Sequence, residues 1–377
     1  MGVQTGGAVA GFVADALLGD PRRGHPVAAF GRVAGALERR MWRDHRGVGA
    51  LYVALCTGGA VAMGRAVSAA VEATAGKSAA RSGTARHSQA ADPGANFGPS
   101  AVAGRSAVAA RDAVARRNAA AERDAAGKGA AAVTAAATWA VLGGTSLTRE
   151  ARAVAAALEA GDLALARARL PALCGRDPQG LDAQGVARAV VESVAENTSD
   201  AVVGALVWGA LAGVPGMLGF RAVNTLDAMV GHRSPRHRRF GWAAARLDDA
   251  AGWPGARLTA VLAAVAGPDP RGAVRAWRAD AHRHPSPNAG PVEASFAGAL
   301  GVRLGGTLSY GGRVEHRPVL GESGRQVRTA DIERAVRLSR RVGVLALAVC
   351  CAAGAARGAA SGTRRRPRGA GSAGGAR

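Results

Sequence analysis

The chain has 377 residues, 48% of them hydrophobic, so size does not limit the core and there is material for one large or two ordinary domains. Ala and Gly dominate, aromatics supply 4%, and of 49 basic residues only Lys77 and Lys128 are lysine, a skew that a GC-rich genome produces. A net charge of +22 and a pI near 11.6 raise nucleic acid as a partner. The arginines are scattered through every loop with no helix-turn-helix, zinc-finger or RNA-binding signature, so nucleic-acid binding is set aside. Cationic loops flanking apolar segments fit an anionic membrane surface at least as well.

In chain order, the first residues, "MGVQTGGAVAGFVADALLGDPRRGHP", lack a basic leader and are broken by Asp15, which argues against a cleaved signal peptide. The turn "GDPRRGHPVAAFG" carries Asp20 and His25 between prolines. Apolar stretches follow at 48–70, 130–147, 201–219 and 342–356. A bilayer crossing needs about 20 mostly apolar residues; each stretch alone also suits a buried helix, but the four together favour a polytopic membrane protein. Residues 72–130 lack apolar periodicity and read as a low-complexity linker or insertion, and 357–377 as a disordered basic tail. The organisation expected is therefore an N-terminal helical segment (1–71), the insertion, a membrane-associated core (131–356) and the tail. Residues 148–173 read as two short amphipathic helices separated by Gly161-Asp162, the second ending at Pro171, and 330–341 as another leading into the last apolar run. With no alternating strand pattern, the fold class expected is all-α. Cys56, Cys174, Cys350 and Cys351 have no C-x-x-C spacing, which indicates neither a disulfide framework nor a zinc site.

Chemistry concentrates in the second half. On a helix, Glu192, Ser193, Glu196, Ser199 and Asp200 share about one third of the circumference and end where apolar sequence begins. Three acids on one face repel unless a cation or positive partner sits there, so the stripe is either a hard-metal or ammonium site or a solvated face paired with arginines. "NTLDAMVGHR" sets Asn224 and Asp227 one turn apart, "AARLDDAAGWPG" pairs Asp248 with Asp249, and "HRHPSPNAGP" holds His284, Ser286 and Asn288 among prolines. The nearest approach to a P-loop, "VEATAGKS", has Val71 where Gly belongs, and both lysines lie in the low-complexity segment. Any activation chemistry therefore falls to carboxylates, His, Ser, Asn and Arg.

Taken in order, "GDP…HPV…G", "VVESVAENTSDAVVGAL", "NTLDAMVGHR…FGWAAARLDDAAGWPGARLTA" and "HPSPNAGPVEASFAGALGVRLGG…Y" closely resemble the CbiB/CobD family of cobalamin biosynthesis, the adenosylcobinamide-phosphate synthases. Residues 72–130 have no counterpart in that pattern, and Pro178 and Ala205 depart from it. The resemblance implies a multi-pass protein of the cell membrane with a cytoplasmic active face. It implies amide-bond formation between adenosylcobyric acid, a corrinoid, and (R)-1-aminopropan-2-ol or its O-phosphate, with other corrinoid-pathway enzymes as conceivable partners. Activating a carboxylate in water points to ATP and Mg²⁺. On this reading Glu192, Glu196, Asp200, Asp248, Asp249 and His284 are candidate catalytic residues, with Glu192, Glu196 and Asp227 the metal ligands. Asp20, His25, Asn197, Arg221, Asn224, Asp227, Arg246, Ser286, Asn288 and Tyr310 are candidates for substrate. A full crossing at 201–219 would strand "NTLD" and "ARLDD" on the wrong face, so a re-entrant or protein-buried hairpin is expected there. A transporter and a non-catalytic scaffold for corrinoid assembly are the alternatives.

Overall fold

The computed structural model describes residues 3–20, 24–87, 101–175, 177–232, 234–310 and 313–364. It does not describe the side chains of Val3, Glu72, 74–112, Asn118, Glu122, Arg123, 307–316 and 358–364. Helices dominate: α1 (Val3–Leu18), α2 (Pro26–Met41), α3 (Arg46–His87), α4 (Ala101–Val141), α5 (Gly144–Glu159), α6 (Leu163–Arg169), α7 (Ala183–Thr198) and α8 (Gly204–Leu226). After α9 (Trp242–Ala266), α10 (Pro270–Asp280) and α11 (Ala289–Leu300) comes an antiparallel hairpin, β1 (Leu304–Tyr310) and β2 (Arg313–Leu320), and then α12 (Ala330–Arg364).

Among the described residues, four stretches are long and apolar enough to cross a membrane: Arg46–Val71, Ala113–Glu159, Ala183–Gly231 and Ala330–Arg357. They cover the four apolar runs of the sequence. The chain is thus a mostly helical protein with candidate membrane-spanning helices, as expected. The two short helices flanking Gly161-Asp162 are α5 and α6, with Asp162 capping α6 by accepting from Leu165 N at 2.8 Å.

Three features add to these expectations. The low-complexity stretch is helical over 72–87 and 101–130, because alanine has the highest helix propensity and needs no apolar stripe to form one. The tail is helical to Arg364, and 365–377 lie outside the described residues. The helical fold class holds, and the described residues add one β-hairpin to it, in which Tyr310 pairs with Arg313 on either side of Gly311-Gly312 in the sequence. That Gly-Gly pair, between two runs of strand formers, was the overlooked signal.

The third apolar stretch is not one crossing. Ala212 (φ −137°, ψ 15°) and Gly213 (φ 65°, ψ −155°) interrupt α8, and Pro215 follows. In a straight helix Gly204 and Phe220 would stand about 24 Å apart. Instead, a Cβ placed on Gly204 would collide with the Phe220 ring, and one on Gly209 would lie 2.6 Å from Met217 Cε. The two halves of α8 therefore fold back on one another as an antiparallel hairpin, the chain reversal expected from the acidic motifs. Trp208 Nε1 donates to Ala251 O at 2.9 Å, and a Cβ on Gly255 would lie 2.9 Å from Gly204 Cα, so α9 crosses the first leg in near backbone contact.

Small residues set the remaining close packing. A Cβ on Gly7 would lie 2.5 Å from Ala131 O, and Gly11 is equally tight against Ala135, so α1 lies flush along α4. Trp139 Nε1 donates to Gly19 O at 3.0 Å and pins the end of α1. The main core runs through α5, α7, α8, α9, α11 and α12. A smaller cluster of Ala34, Tyr52, Val53, Leu226, Val230 and Phe240 joins α2, α3, α8 and the start of α9. Tyr52 donates to Ala34 O at 3.2 Å and its ring lies 5.1 Å from that of Phe240.

Candidate active site

The hairpin places the residues before its first leg beside those after its second. Both junctions are π-helical turns, Ser199–Val203 and Asp227–Gly231, and each opens with an acidic residue, Asp200 or Asp227, at its first or second position. Such turns rotate the following side chains relative to a regular helix and recur at functional sites. The charges felt by Asp200 come from Asp248, Glu196, Asp227 and Arg221. Those felt by Asp227 come from Asp249 and Glu196.

Asp248, on α9 and outside the candidate membrane stretches, is central to the group. Burial first, then the Asp227 charge, with Asp249 and Glu196 adding less, together push its carboxyl up to about 7 against the opposing pull of a hydrogen bond from Asn224. Its Oδ1 is buried without a hydrogen-bond partner. Asp249 is paired with the exposed Arg246, Nη1 to Oδ2 3.3 Å. Arg221 donates to Asn224 Oδ1 at 3.4 Å, its Nε is buried without a hydrogen-bond partner, and it faces both Asp200 and Asp20.

Asp20 comes to this site from the loop after α1. His25 Nε2 stands 3.4 Å from Asp20 Oδ1, while His25 Nδ1 accepts from Val27 N at 3.1 Å and caps α2. Asp20, with His25 beside it, thus faces the same Arg221 as Asp200 does.

The acidic stripe does not stay together. Glu192 is 2% exposed, its Oε1 accepts from Gly305 N at 2.6 Å, and it is absent from the charges facing Asp200, Asp227 and Asp248. It anchors the β-hairpin, which sequence reasoning could not foresee without the hairpin itself. Asn197 donates to Ser193 O at 2.9 Å on its own helix.

The "HPSPN" turn supports the site from behind. Ser286 N donates to His284 Nδ1 at 3.0 Å, and His284 Nε2 stands 3.8 Å from Glu293 Oε1, both side chains 5% exposed. Ser286 Oγ accepts from Asn288 N and Ala289 N at 3.3 and 3.2 Å, just ahead of α11. Asn288 Nδ2 donates to Asp249 O at 2.9 Å and Asp248 O at 3.4 Å, and its Oδ1 accepts from Arg257 at 3.0 Å. Glu293 and Arg257 were not singled out from sequence; their spacing from the motif, i+9 from His284 and within one helix of Asp249, offered only a weak cue. The Tyr310 side chain lies outside the described residues, its backbone standing at the end of β1.

Among the described residues no three His, Cys, Asp or Glu side chains converge as a ready metal site. The arrangement is a loose acidic group, arginine-edged, gathered at the open end of the α8 hairpin. It suits an ammonium group or a cation that brings its own phosphate ligands, since Mg²⁺ commonly takes one or two protein carboxylates in such sites.

Comparison with known proteins gives the family. A profile described as CobD/Cbib protein matches residues 8–339. The chain is 48% identical over 349 residues to a "Cobalamin biosynthesis protein CobD" of Mycobacterium tuberculosis (strain ATCC 25618 / H37Rv), covering 91% of this chain and 94% of the relative. A protein of the same name from Stutzerimonas stutzeri (strain A1501) is 38% identical over 337 residues, covering 88% and 91%. One from Rhodobacter capsulatus is 47% identical over 203 residues, covering 54% and 65%. No solved structure matches the chain. With a family profile spanning most of the chain and relatives this similar along nearly their full length, the chain belongs to the CobD/Cbib protein family.

Proposed function

We propose that this chain of cobalamin biosynthesis is the amide ligase that joins adenosylcobyric acid to (R)-1-aminopropan-2-ol or its O-phosphate, yielding adenosylcobinamide or its phosphate. It works in the cell membrane with the carboxylate-lined side toward the cytoplasm, where ATP is found. The observation that carries this reading is the gathering of Glu196, Asp200, Asp227 and Asp249 around a half-buried Asp248, edged by Arg221, in a chain of this family.

Amide formation needs two things from a protein: an amine held close and free of its proton, and an acyl group made electrophilic. A ring of carboxylates attracts the ammonium form of the amine. Asp248, with its carboxyl held up to about 7 by burial and by Asp227, is matched to take a proton near neutral pH. The bound ammonium first gives one proton to water; as the resulting amine nitrogen attacks the acyl carbon, the C–N bond forms, the bond from that carbon to the leaving oxygen breaks, and the second proton to leave the nitrogen passes to Asp248. ATP with Mg²⁺ supplies the leaving group that makes the carboxylate an acyl donor. Glu196 and Asp227 would hold the cation on one side of the phosphates. Arg221, with Arg246 nearer solvent, would neutralise the corrin carboxylate or phosphate. Asn288 and Arg257 are positioning residues, fixing the stretch of α9 that carries Asp248 and Asp249.

A transporter would place its broken helix at the ligand site, where half-helix ends face the substrate. Here the break at Ala212-Gly213 lies about 18 Å along the helix from Asp200, which favours the ligase. The direct test uses membranes containing this chain alone, given adenosylcobyric acid, aminopropanol phosphate, ATP and Mg²⁺, with product read by mass. Amide formation that depends on both ATP and Mg²⁺ is expected. Inserted, folded protein that yields no amide would reject a self-sufficient ligase. Full turnover by both Glu196→Gln and Asp248→Asn would reject the acidic site and leave a scaffold.

A further inference from the structure

The membrane-spanning reading brings a second, unassigned site into view, independent of the ligase chemistry. The charge-free parts of four helices are similarly bounded: 3–14 in α1, 47–64 in α3, 129–148 from α4 into α5, and 342–356 in α12. On α3 the run lies between Arg46 and Arg65, 19 residues or about 28 Å apart, close to the thickness of a hydrocarbon core. On α12 it lies between Arg341 and Arg357. Asp20, Arg46 and Arg341 mark the side of the carboxylates. Arg65 and Arg357 mark the far side.

At that far side lies a cavity of about 810 Å³, lined by Arg65, Arg357, Gln4 and Ser68 and floored by Leu211 and Pro215 of the hairpin tip. Among the described residues no acidic side chain lines it. Arg357 also donates to the carbonyls of Ala210 and Leu211, which the break at Gly213 leaves at the end of the first leg of α8. A guanidinium has five N–H donors, so this tie leaves donors for another acceptor. Two cations above an apolar floor, at the depth where acyl chains meet headgroups, select a molecule with one anionic phosphodiester and attached hydrocarbon.

We propose that this cavity is a binding site for an anionic glycerophospholipid, its phosphodiester held between Arg65 and Arg357 and an acyl chain lying over the α8 hairpin tip. The lipid would clamp the tip from outside while Arg357 holds it from within. The hairpin whose open end carries Asp200 and Asp227 is then sensitive to the lipid on the opposite face.

The test is binding of fluorescent phosphatidylglycerol to the full chain in phosphatidylcholine micelles. Wild type is expected to bind it, Arg65→Gln to weaken binding about fivefold, and Arg65→Gln with Arg357→Gln about 25-fold, on about 1 kcal/mol per basic residue at a charged lipid surface. Arg39→Gln with Arg40→Gln, in the last turn of α2, is expected to leave binding unchanged. Arg65→Gln preserves the tie between Arg357 and the hairpin, so its loss of binding is not a folding defect. Equal weakening by the α2 pair would mean diffuse surface charge. Undiminished binding by Arg65→Gln, or displacement by inorganic phosphate as effective as by unlabelled phosphatidylglycerol, would likewise overturn the proposal.

Discussion

Replacing Gly213 by alanine isolates the reversal of α8 from every other contact. At φ 65° and ψ −155° the residue occupies a region that is essentially confined to glycine. The added Cβ would meet Pro215 Cδ at 3.8 Å and Gln4 Nε2 at 4.0 Å, ordinary contact distances, so packing contributes no penalty. The whole cost is backbone strain, about 1–3 kcal/mol. Gly59→Ala is the control: Gly59 is in helical α3 with nothing within 4 Å of its Cβ, and alanine there is expected to be neutral or to stabilise by up to about 1 kcal/mol. Reversible unfolding in mixed micelles, followed by helical signal, reads the difference directly. Because the tip is far from the carboxylates, the folded fraction of Gly213→Ala should retain near-normal turnover at low temperature and inactivate earlier on warming. Equal stability of the two variants would refute the hairpin and restore a straight crossing.

Other predictions concern the site. If Asp248 accepts the proton of the amine, kcat should rise with pH through about 7, as the carboxyl becomes ionised, and then level; Asp248→Asn should abolish that limb and lower kcat by about 10²–10⁴-fold, the usual worth of a general base. Glu192→Gln keeps an oxygen for Gly305 N and should retain turnover, whereas Glu196→Gln should lose it; the reverse order in a steady-state assay would return Glu192 to the chemistry. Asn288→Ala leaves Arg257 without its acceptor and removes the donor to Asp248 O and Asp249 O, so unfolding free energy should fall by about 1–3 kcal/mol, measured in micelles.

The sequence made the helices legible because their signals are local: charge-free runs, the Asp162 cap, the Gly161-Asp162 break. The return of the chain at 212–213 was legible for a different reason, since acidic motifs on both sides of an apolar run demand one common face. What stayed hidden depends on partners far along the chain. Glu192 and Glu196 look equivalent on a helical wheel, and only β1, more than a hundred residues later, takes Glu192 away. The π-helical turns that open with or carry Asp227 and Asp200 have no residue signature, because they arise from how the hairpin legs pack. The polar atoms of "HPSPN" looked free for a ligand; the fold commits those of Asn288 to α9 and Arg257.

The flush packing of α1 on α4 has a consequence in time. Trp139 and Gly19, which close that contact, are 120 residues apart. At a synthesis rate of about 5–20 residues per second, α1 waits on the order of 6–24 seconds before its neighbour emerges. The stretch 72–130 accounts for about half of that delay, because it separates the first helices from the part of α4 that α1 grips. During the interval the bare glycine face of α1 has only lipid or translocation machinery to lie against. Shortening the stretch would change the order in which the membrane domain is assembled while leaving the assembled contacts as they are.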